Sequence, residues 1–388
     1  MRVLHVIPSI AERYGGPSTA IRGMASALAA RGIDVTVAAT DGDGPGRMDV
    51  PLDRQHVQEG VSYRFFARSV PGEYKFSWPL TRWLRANVRS FDVVHAHALF
   101  SYSTLPACRF AFRHDRPVVL RPLGTLGAWS LSHRSWKKVP YLALVERRHL
   151  RNAAALHATS EQEAGALAAL GYGAKTRIIP LGVPVVEGGL DGEPARPGRA
   201  AGATPFRLLF LSRLHPVKNL PVLFDALARI REARGPGIAL TVAGDGDKSY
   251  VDELRRRVDA LGLADEIRFV GRLDGDEKAA AFDSADLFVL PSSHENFGIA
   301  AAEALARGVP VVLSRDVGIA PDVEQAGAGC VVAGDAGSLA SAIAALVESP
   351  DRLIAMRRSA LALARARFSW NACAASLESL YEEIRRTR

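Results

Sequence analysis

Short apolar runs of strand length alternate with amphipathic, helix-period stretches along most of the chain, a pattern that predicts parallel sheets covered by helices on both faces. In the first half, strands are expected over residues 3–8, 35–39, 93–96, 118–120 and 154–159. Between the first two lies a helix over 17–31, opened by Pro17 and stopped by Gly32. Residues 41–60 read as a Gly- and Asp-rich loop, 137–151 as a charged helix, and Ser160-Glu161-Gln162-Glu163 as a further helix start. Residues 184–205 hold five Gly and four Pro and carry no periodicity, so they read as a linker. The pattern then restarts, with strands expected over 208–211, 239–243, 267–270, 287–290 and 309–313. After Phe368, the spacing of Trp370, Cys373, Ala374, Leu377, Leu380, Tyr381 and Ile384 gives a helix with one apolar stripe. The expected α/β architecture is two Rossmann-like, doubly wound parallel-sheet domains, 1–184 and 206–368, joined by a linker over 185–205 and followed by a helix over 369–388. Such sheets bind ligands beyond the carboxyl ends of their strands, so two of them facing one another would line a cleft with strand-end loops.

Composition narrows the classes. The 388 residues are 48% hydrophobic and 23% charged, an ordinary globular mixture with enough apolar side chains for a core in each half. No run approaches the roughly 18 apolar residues of a membrane-spanning helix, and the N-terminus enters a strand with no signal-peptide layout, so a cytoplasmic protein is expected. Cys108, Cys330 and Cys373 are isolated and form no CxxC, which supports neither a disulfide framework nor a zinc site. The net charge is +8, but residues 1–190 hold 24 basic and 14 acidic side chains, net +10, while residues 191–388 hold 25 and 27, net −2. No basic stripe belongs to a nucleic-acid module, and nucleic acid is not an expected partner. The surplus gathers with tryptophan instead: Arg82, Trp83, Arg85 and Arg89, then Trp129, His133, Arg134, Trp136, Lys137, Lys138, Arg147, Arg148 and Arg151. That mixture suits an anionic membrane surface, on the inner face for a cytoplasmic protein.

The candidate chemistry lies in the expected strand-end loops. After the strand over 287–290 come Glu295, Asn296, Phe297, Gly298 and Ile299, then a helix carrying Glu303 and stopped by Gly308. Amides at that helix start can hold an anion or a hydroxyl-rich ligand, and carboxylates at the two positions, one before the helix and one within it, can clasp two parts of one extended ligand. The alternative is a solvated Glu303 and a Glu295 favoured only by the helix dipole. Arg213 and Lys218, both in the loop after the strand over 208–211, suit a diphosphate or are two surface cations. Gly244 in Gly244-Asp245-Gly246, and Gly271 with Arg272, stand where a backbone could approach a base or phosphate closely, or form tight turns. In the first half Gly15 and Gly16 lie between strand and helix, too short a motif for a dinucleotide fingerprint. His95 and His97 end a strand, with one imidazole expected toward the cleft and the other toward the core. Asp41/Asp43, Asp245/Asp247 and Asp274/Asp276 each enclose a glycine and read as turns rather than metal sites.

Together the Glu295-x7-Glu303 element with Asn296-Phe297-Gly298, the Arg213 and Lys218-Asn219 loop, Gly244-Asp245-Gly246, Gly15-Gly16 and the helix after Phe368-Ser369-Trp370 resemble the retaining GT-B glycosyltransferases of glycosyltransferase family 4. The match runs in register over nearly the whole chain. The resemblance implies that Glu303 binds the nucleotide ribose, Glu295 and the 297–299 amides the donor sugar, and Arg213 with Lys218 the diphosphate. By the same resemblance His97, rather than His95, faces the donor sugar, the last helix crosses back to the first domain, and neither metal nor cofactor is needed beyond the nucleotide-diphosphate sugar. Residues 121–130 resemble a subgroup acting in bacterial surface polysaccharide assembly (exopolysaccharide, capsule or O-antigen), which implies a glycan or polyprenyl-diphosphate-linked acceptor. Leu123 stands where many of that subgroup carry His. A GT-B nucleotide-sugar 2-epimerase and a non-catalytic sugar-binding protein are the alternatives.

Overall fold

The computed structural model describes residues 1–70, 72, 74–127, 135–185 and 205–387. Most of the expected linker therefore lies outside the described residues, as do Trp129, His133 and Arg134. The chain divides into two units, residues 1–182 with 370–388, and residues 183–369.

The first unit is built on an eight-stranded sheet. Its strands are β1 (Arg2–Ile7), β2 (Asp34–Thr40), β5 (Gln55–Gln58), β6 (Val61–Phe66), β7 (Val93–His97), β8 (Val118–Arg121), β9 (Ala155–Ala158) and β10 (Thr176–Ile178), in the order β10-β9-β8-β7-β1-β2-β6-β5. All neighbours are parallel except β5 and β6. The helices are α1 (Gly16–Ala30), α2 (Trp78–Asn87), α3 (Thr104–Arg113), α4 (Ser135–Tyr141), α5 (Arg147–Asn152) and α6 (Glu161–Ala169), with a π turn over Leu142–Glu146 joining α4 to α5. Two expectations change here. Residues 41–60 are not a plain loop: a small hairpin, β3 (Gly42–Asp43) with β4 (Gly46–Arg47), and the edge strand β5 are folded from them. The buried Asp41 carboxylate organises that segment by accepting from the Arg68 amide at 2.7 Å and pairing with Arg47. Nor is 137–151 one regular helix, since the π turn interrupts it.

Period-two alternation gives this sheet two very different faces. Leu4, Val6, Val94, Ala96, Val118, Leu120, Leu156 and Ala158 lie in one apolar cluster with side chains of α2 and α3. The intervening positions carry His5, His95, His97, Arg121 and His157, all buried. His95 and His97, at alternate positions of one strand, therefore share a face, and their rings stack 4.2 Å apart. The expectation of one imidazole inward and one outward is corrected by the same strand geometry.

The second unit holds a six-stranded, wholly parallel sheet of β11 (Phe206–Leu211), β12 (Ile238–Ala243), β13 (Ile267–Gly271), β14 (Leu287–Leu290), β15 (Val311–Ser314) and β16 (Gly329–Val332), in the order β13-β12-β11-β14-β15-β16. Its helices are α7 (Leu220–Arg234), α8 (Lys248–Ala260), α9 (Gly275–Ser284), α10 (Ile299–Ala306), α11 (Ala320–Ala326), α12 (Ala336–Val347) and α13 (Pro350–Arg367). The central strands are nearly continuous runs of Val, Leu and Phe because both faces are covered. The last helix, α14 (Trp370–Arg386), belongs to the first unit and packs against α1. Its stripe of Cys373, Ala374, Leu377, Leu380, Tyr381 and Ile384 is buried, and Arg31–Glu378 (2.6 Å) and Arg177–Glu383 (2.8 Å) tie its polar flank to the unit. Among the described residues no helix is long and apolar enough to cross a membrane.

Candidate active site

In the second unit, loops at the carboxyl ends of five adjacent strands are laced together by backbone hydrogen bonds. Gly244 N donates to Gly271 O (2.7 Å) and Leu214 N to Asp245 O (2.7 Å), joining the loops after β11, β12 and β13. Ser293 N donates to Val217 O (2.9 Å), Glu295 N to Asp316 O (3.0 Å) and Gly318 N to Glu295 O (2.8 Å), joining those after β11, β14 and β15. The result is one rim of backbone on which the sequence-predicted side chains sit. Asp245-Gly246-Asp247 and Asp274-Gly275-Asp276 turn out to be helix entries: Asp247 caps α8 through the Ser249 amide (3.0 Å), and Asp274 precedes α9.

On this rim Lys218 and Glu295, from the loops after β11 and β14, form an ion pair whose side chains are 12% and 23% exposed. Water competes weakly at such exposure, so neither group is a solvated bystander. Glu303, in the second turn of α10, is also enclosed, and its Oε1 accepts from Lys278 Nζ of α9 at 2.6 Å. A solvated Glu303 is thereby excluded. Lys278 itself escaped the sequence reading, since a lysine inside a different helix from its partner carries no local signal. Arg213 is exposed and finds no carboxylate partner among the described residues, whereas Arg272 is drawn to Asp274 at 2.7 Å. Gly298 precedes α10 at φ 102°, a conformation that L side chains rarely adopt, and lets the chain turn sharply from Glu295 into Ile299. Phe297 is buried edge-on against Phe368 and anchors the turn, so its side chain serves packing.

The remaining candidates lie in the first unit. Gly15, at φ 60°, precedes Gly16 at the start of α1. The loops after β7 and β8 contain three non-glycine residues at positive φ, Ala98 (70°), Phe100 (58°) and Leu123 (61°). Such backbone persists only where surroundings hold it. Two buried carboxylates do so: Glu146, in the π turn, accepts from Phe100 N at 2.7 Å, and Glu163 accepts from Gly124 N at 2.6 Å and Thr159 N at 2.8 Å. The Ser-Glu-x-Glu helix start hinted at Glu163, but only as a cap.

His97 sits among the buried imidazoles. Its Nε2 lies 3.0 Å from His5 Nδ1, while its Nδ1 is buried without a partner. Burial holds all four histidines in the neutral form, His5 and His157 down to about 3 and His95 and His97 well below the usual range. Neutrality fixes one chain of tautomers. His157 Nε2 must donate to Ile179 O (2.8 Å), so its Nδ1 accepts from His95 Nε2 (3.3 Å) and His95 Nδ1 accepts from the Tyr381 hydroxyl (2.7 Å). Nitrogens of His5, His95 and His97 come within 4.8 Å of one another, close enough for a metal ion. The donor set nevertheless fits a cation poorly, because the guanidinium of Arg121 shares this buried face and already disfavours positive charge on all four rings.

Two family models match consecutive parts of the chain: a glycosyl transferase 4-like domain over residues 15–182 and glycosyl transferases group 1 over residues 193–362. A D-inositol 3-phosphate glycosyltransferase of Catenulispora acidiphila is 38% identical over 252 residues, covering 60% of this chain and 58% of that relative. A D-inositol 3-phosphate glycosyltransferase of Corynebacterium jeikeium is 28% identical over 95% of this chain and 92% of its own. The fold matches that of Anabaena HepE in complex with UDP and glucose, with a TM-score of 0.76, 21% identity, and 99% and 100% of the two chains covered. With a 4-like domain in its first half, a group 1 domain in its second and two parallel-sheet Rossmann-like units, the chain belongs to the GT-B glycosyltransferases of family 4.

Proposed function

We propose that this glycosyltransferase moves a hexosyl group from a nucleotide-diphosphate sugar to a glycan or polyprenyl-diphosphate-linked acceptor with retention at the anomeric carbon, in bacterial surface polysaccharide synthesis. The observation that carries the reading is the enclosed Lys218–Glu295 pair on the rim of the second unit, beside the exposed Arg213. Breaking the bond between the sugar C1 and the β-phosphate oxygen leaves negative charge on that phosphate, which Lys218 and Arg213 stabilise. The acceptor hydroxyl forms the new C1–O bond on the face the phosphate leaves, and its proton passes to the departing phosphate oxygen. Once the phosphate draws Lys218 away, the Glu295 carboxylate is free to accept hydrogen bonds from the sugar hydroxyls. Glu303 holds the ribose. These two cations supply the counter-charge that a metal would otherwise bring, so chelation with EDTA leaves the rate unchanged.

The first unit supports an acceptor held at a membrane. Trp136 (74% exposed), Val139 and Leu144 (81% exposed) lie on the outer face of α4 and the π turn, which continues into exposed Arg147, Arg148 and Arg151. Apolar side chains facing water beside a row of cations match the interfacial zone of an anionic bilayer. The test is a thermal-shift screen with UDP-, GDP- and ADP-sugars, followed by NMR of the product formed on polyprenyl-diphosphate sugar acceptors. The reading expects one nucleotide to stabilise the chain and the product anomer to match the donor. Isomerised donor without an acceptor, or binding without turnover, would overturn it.

A further inference from the structure

The rim contains a second enclosed ion pair, and its geometry reaches beyond the residues that the proposed function uses. Lys278 projects from α9 and Glu303 from α10, and they meet at 2.6 Å with side chains only 28% and 14% exposed. Lys248–Asp252, a pair of the same chemistry one helix away, is 89% and 49% exposed and is therefore largely screened by water. The choice of lysine matters. The chain contains seven lysines against 42 arginines, yet the two glutamates of the Glu-x7-Glu element are both met by lysine. An arginine fork would engage both carboxylate oxygens, whereas an ammonium is a point donor that can hold Oε1 and leave Oε2 open.

We propose that Lys278 is a positioning residue for nucleotide recognition: it holds Glu303 Oε1 so that Oε2 faces the ribose hydroxyls, and it thereby sets the discrimination between ribose and deoxyribose. The proposal rests on the reading of Glu303 as the ribose-binding carboxylate. A hydroxyl hydrogen bond to an ionised acceptor is among the stronger neutral-to-charged contacts, and its loss weakens binding about tenfold or more. That gain requires a carboxylate already oriented. A Glu303 released from Lys278 turns toward water and favours no particular hydroxyl.

The experiment compares UDP, GDP and ADP with their 2′,3′-dideoxy counterparts by isothermal titration on the full chain, for the natural protein, Lys278→Met and Glu303→Gln. The natural protein is expected to prefer its ribonucleotide at least tenfold. In Lys278→Met that ratio falls below about threefold while affinity for the dideoxy form stays within about twofold, because the diphosphate contacts are untouched. General damage to the unit would weaken both ligands together and leave the ratio intact, so the ratio separates positioning from structure. If Glu303→Gln keeps the full preference, Glu303 does not bind the ribose and the underlying reading falls. If Glu303→Gln loses the preference and Lys278→Met retains it, the reading stands and the role of Lys278 is overturned.

Discussion

Replacing Gly244 with alanine tests whether the laced rim is as tight in solution as its geometry requires. Gly244 has φ +142°, and a Cβ built on it would stand 1.8 Å from Ser212 O. Real Cβ contacts do not fall below about 3.0 Å, so the 212–214 segment must retreat by about 1.2 Å or the Gly244–Gly271 and Leu214–Asp245 hydrogen bonds must break. The positive φ alone costs an alanine about 1–3 kcal/mol, and each lost hydrogen bond about 1 kcal/mol more. A total of about 3 kcal/mol corresponds to a fall in Tm of roughly 6–12 °C for a unit of this size. The functional effect should be larger, because Arg213 lies in the displaced segment and Lys218 just beyond it, and a misplacement of about 1 Å can cost about a hundredfold in rate. Gly235→Ala is the control: Gly235 also has positive φ (+77°), but no atom lies within 4 Å of the added methyl. With ψ −176°, Gly235 lies in a region nearly confined to glycine, so Gly235→Ala should lose about 1–3 kcal/mol of stability and keep full turnover. The assay is kcat with the donor identified by thermal shift, together with melting curves of both variants. Gly244→Ala with natural turnover, or Gly235→Ala as inactive as Gly244→Ala, would refute the argument.

Removing one partner of the Lys218–Glu295 pair, by Lys218→Ala or Glu295→Ala, should abolish most transfer while the far-UV circular dichroism stays native; an unchanged rate in either variant removes that residue from the chemistry. Trp136→Ser combined with Leu144→Ser should lower co-sedimentation with anionic phosphatidylglycerol vesicles several-fold, and natural protein that binds neutral phosphatidylcholine vesicles equally well would dismiss the charged-membrane idea. For the imidazoles, His5 and His157 titrate at about 3 when folded and near 6.5 when unfolded, so the unfolded chain binds more protons between those values. Their contribution is fully present above pH 6.5 and is lost as pH falls, at up to about 1.4 kcal/mol per pH unit for each ring. Urea unfolding of the chain between pH 7.5 and 5 should show that decline, shallower in His157→Gln; a flat profile would mean that the layer is hydrated.

The alternation of apolar runs located most central strands of both sheets, because a strand buried on both faces must be apolar at nearly every position. It missed β5 and the small hairpin before it, where Gln, His and Gly occupy an edge and hydrophobicity gives no cue. Glu295, Glu303 and Lys218 were legible because they stand at fixed distances from strand ends and a helix-opening glycine. Lys278, Glu146 and Glu163 acquire their roles only from which helices pack side by side, and no short sequence window holds that information. On the outer face of α4 and the π turn the sequence singled out Trp136 among the basic side chains, but not the exposed Val139 and Leu144 beside it in the chain, whose exposure depends on how the turn packs.

The return of α14 to the first unit has a consequence for the order in which the protein can be made. Strand β1 is synthesised before the whole of the second unit, but the helix whose Tyr381 packs over its His5 is synthesised after it. The second unit, continuous from 183 to 369, can close while synthesis proceeds. The first unit, begun earlier, must wait with His5, His95, His97, Arg121 and His157 lacking the cover of Tyr381 and Cys373. A message cut short before codon 370 would therefore yield a sound second unit joined to an open first one, readily found by proteases, and no half-made enzyme would persist.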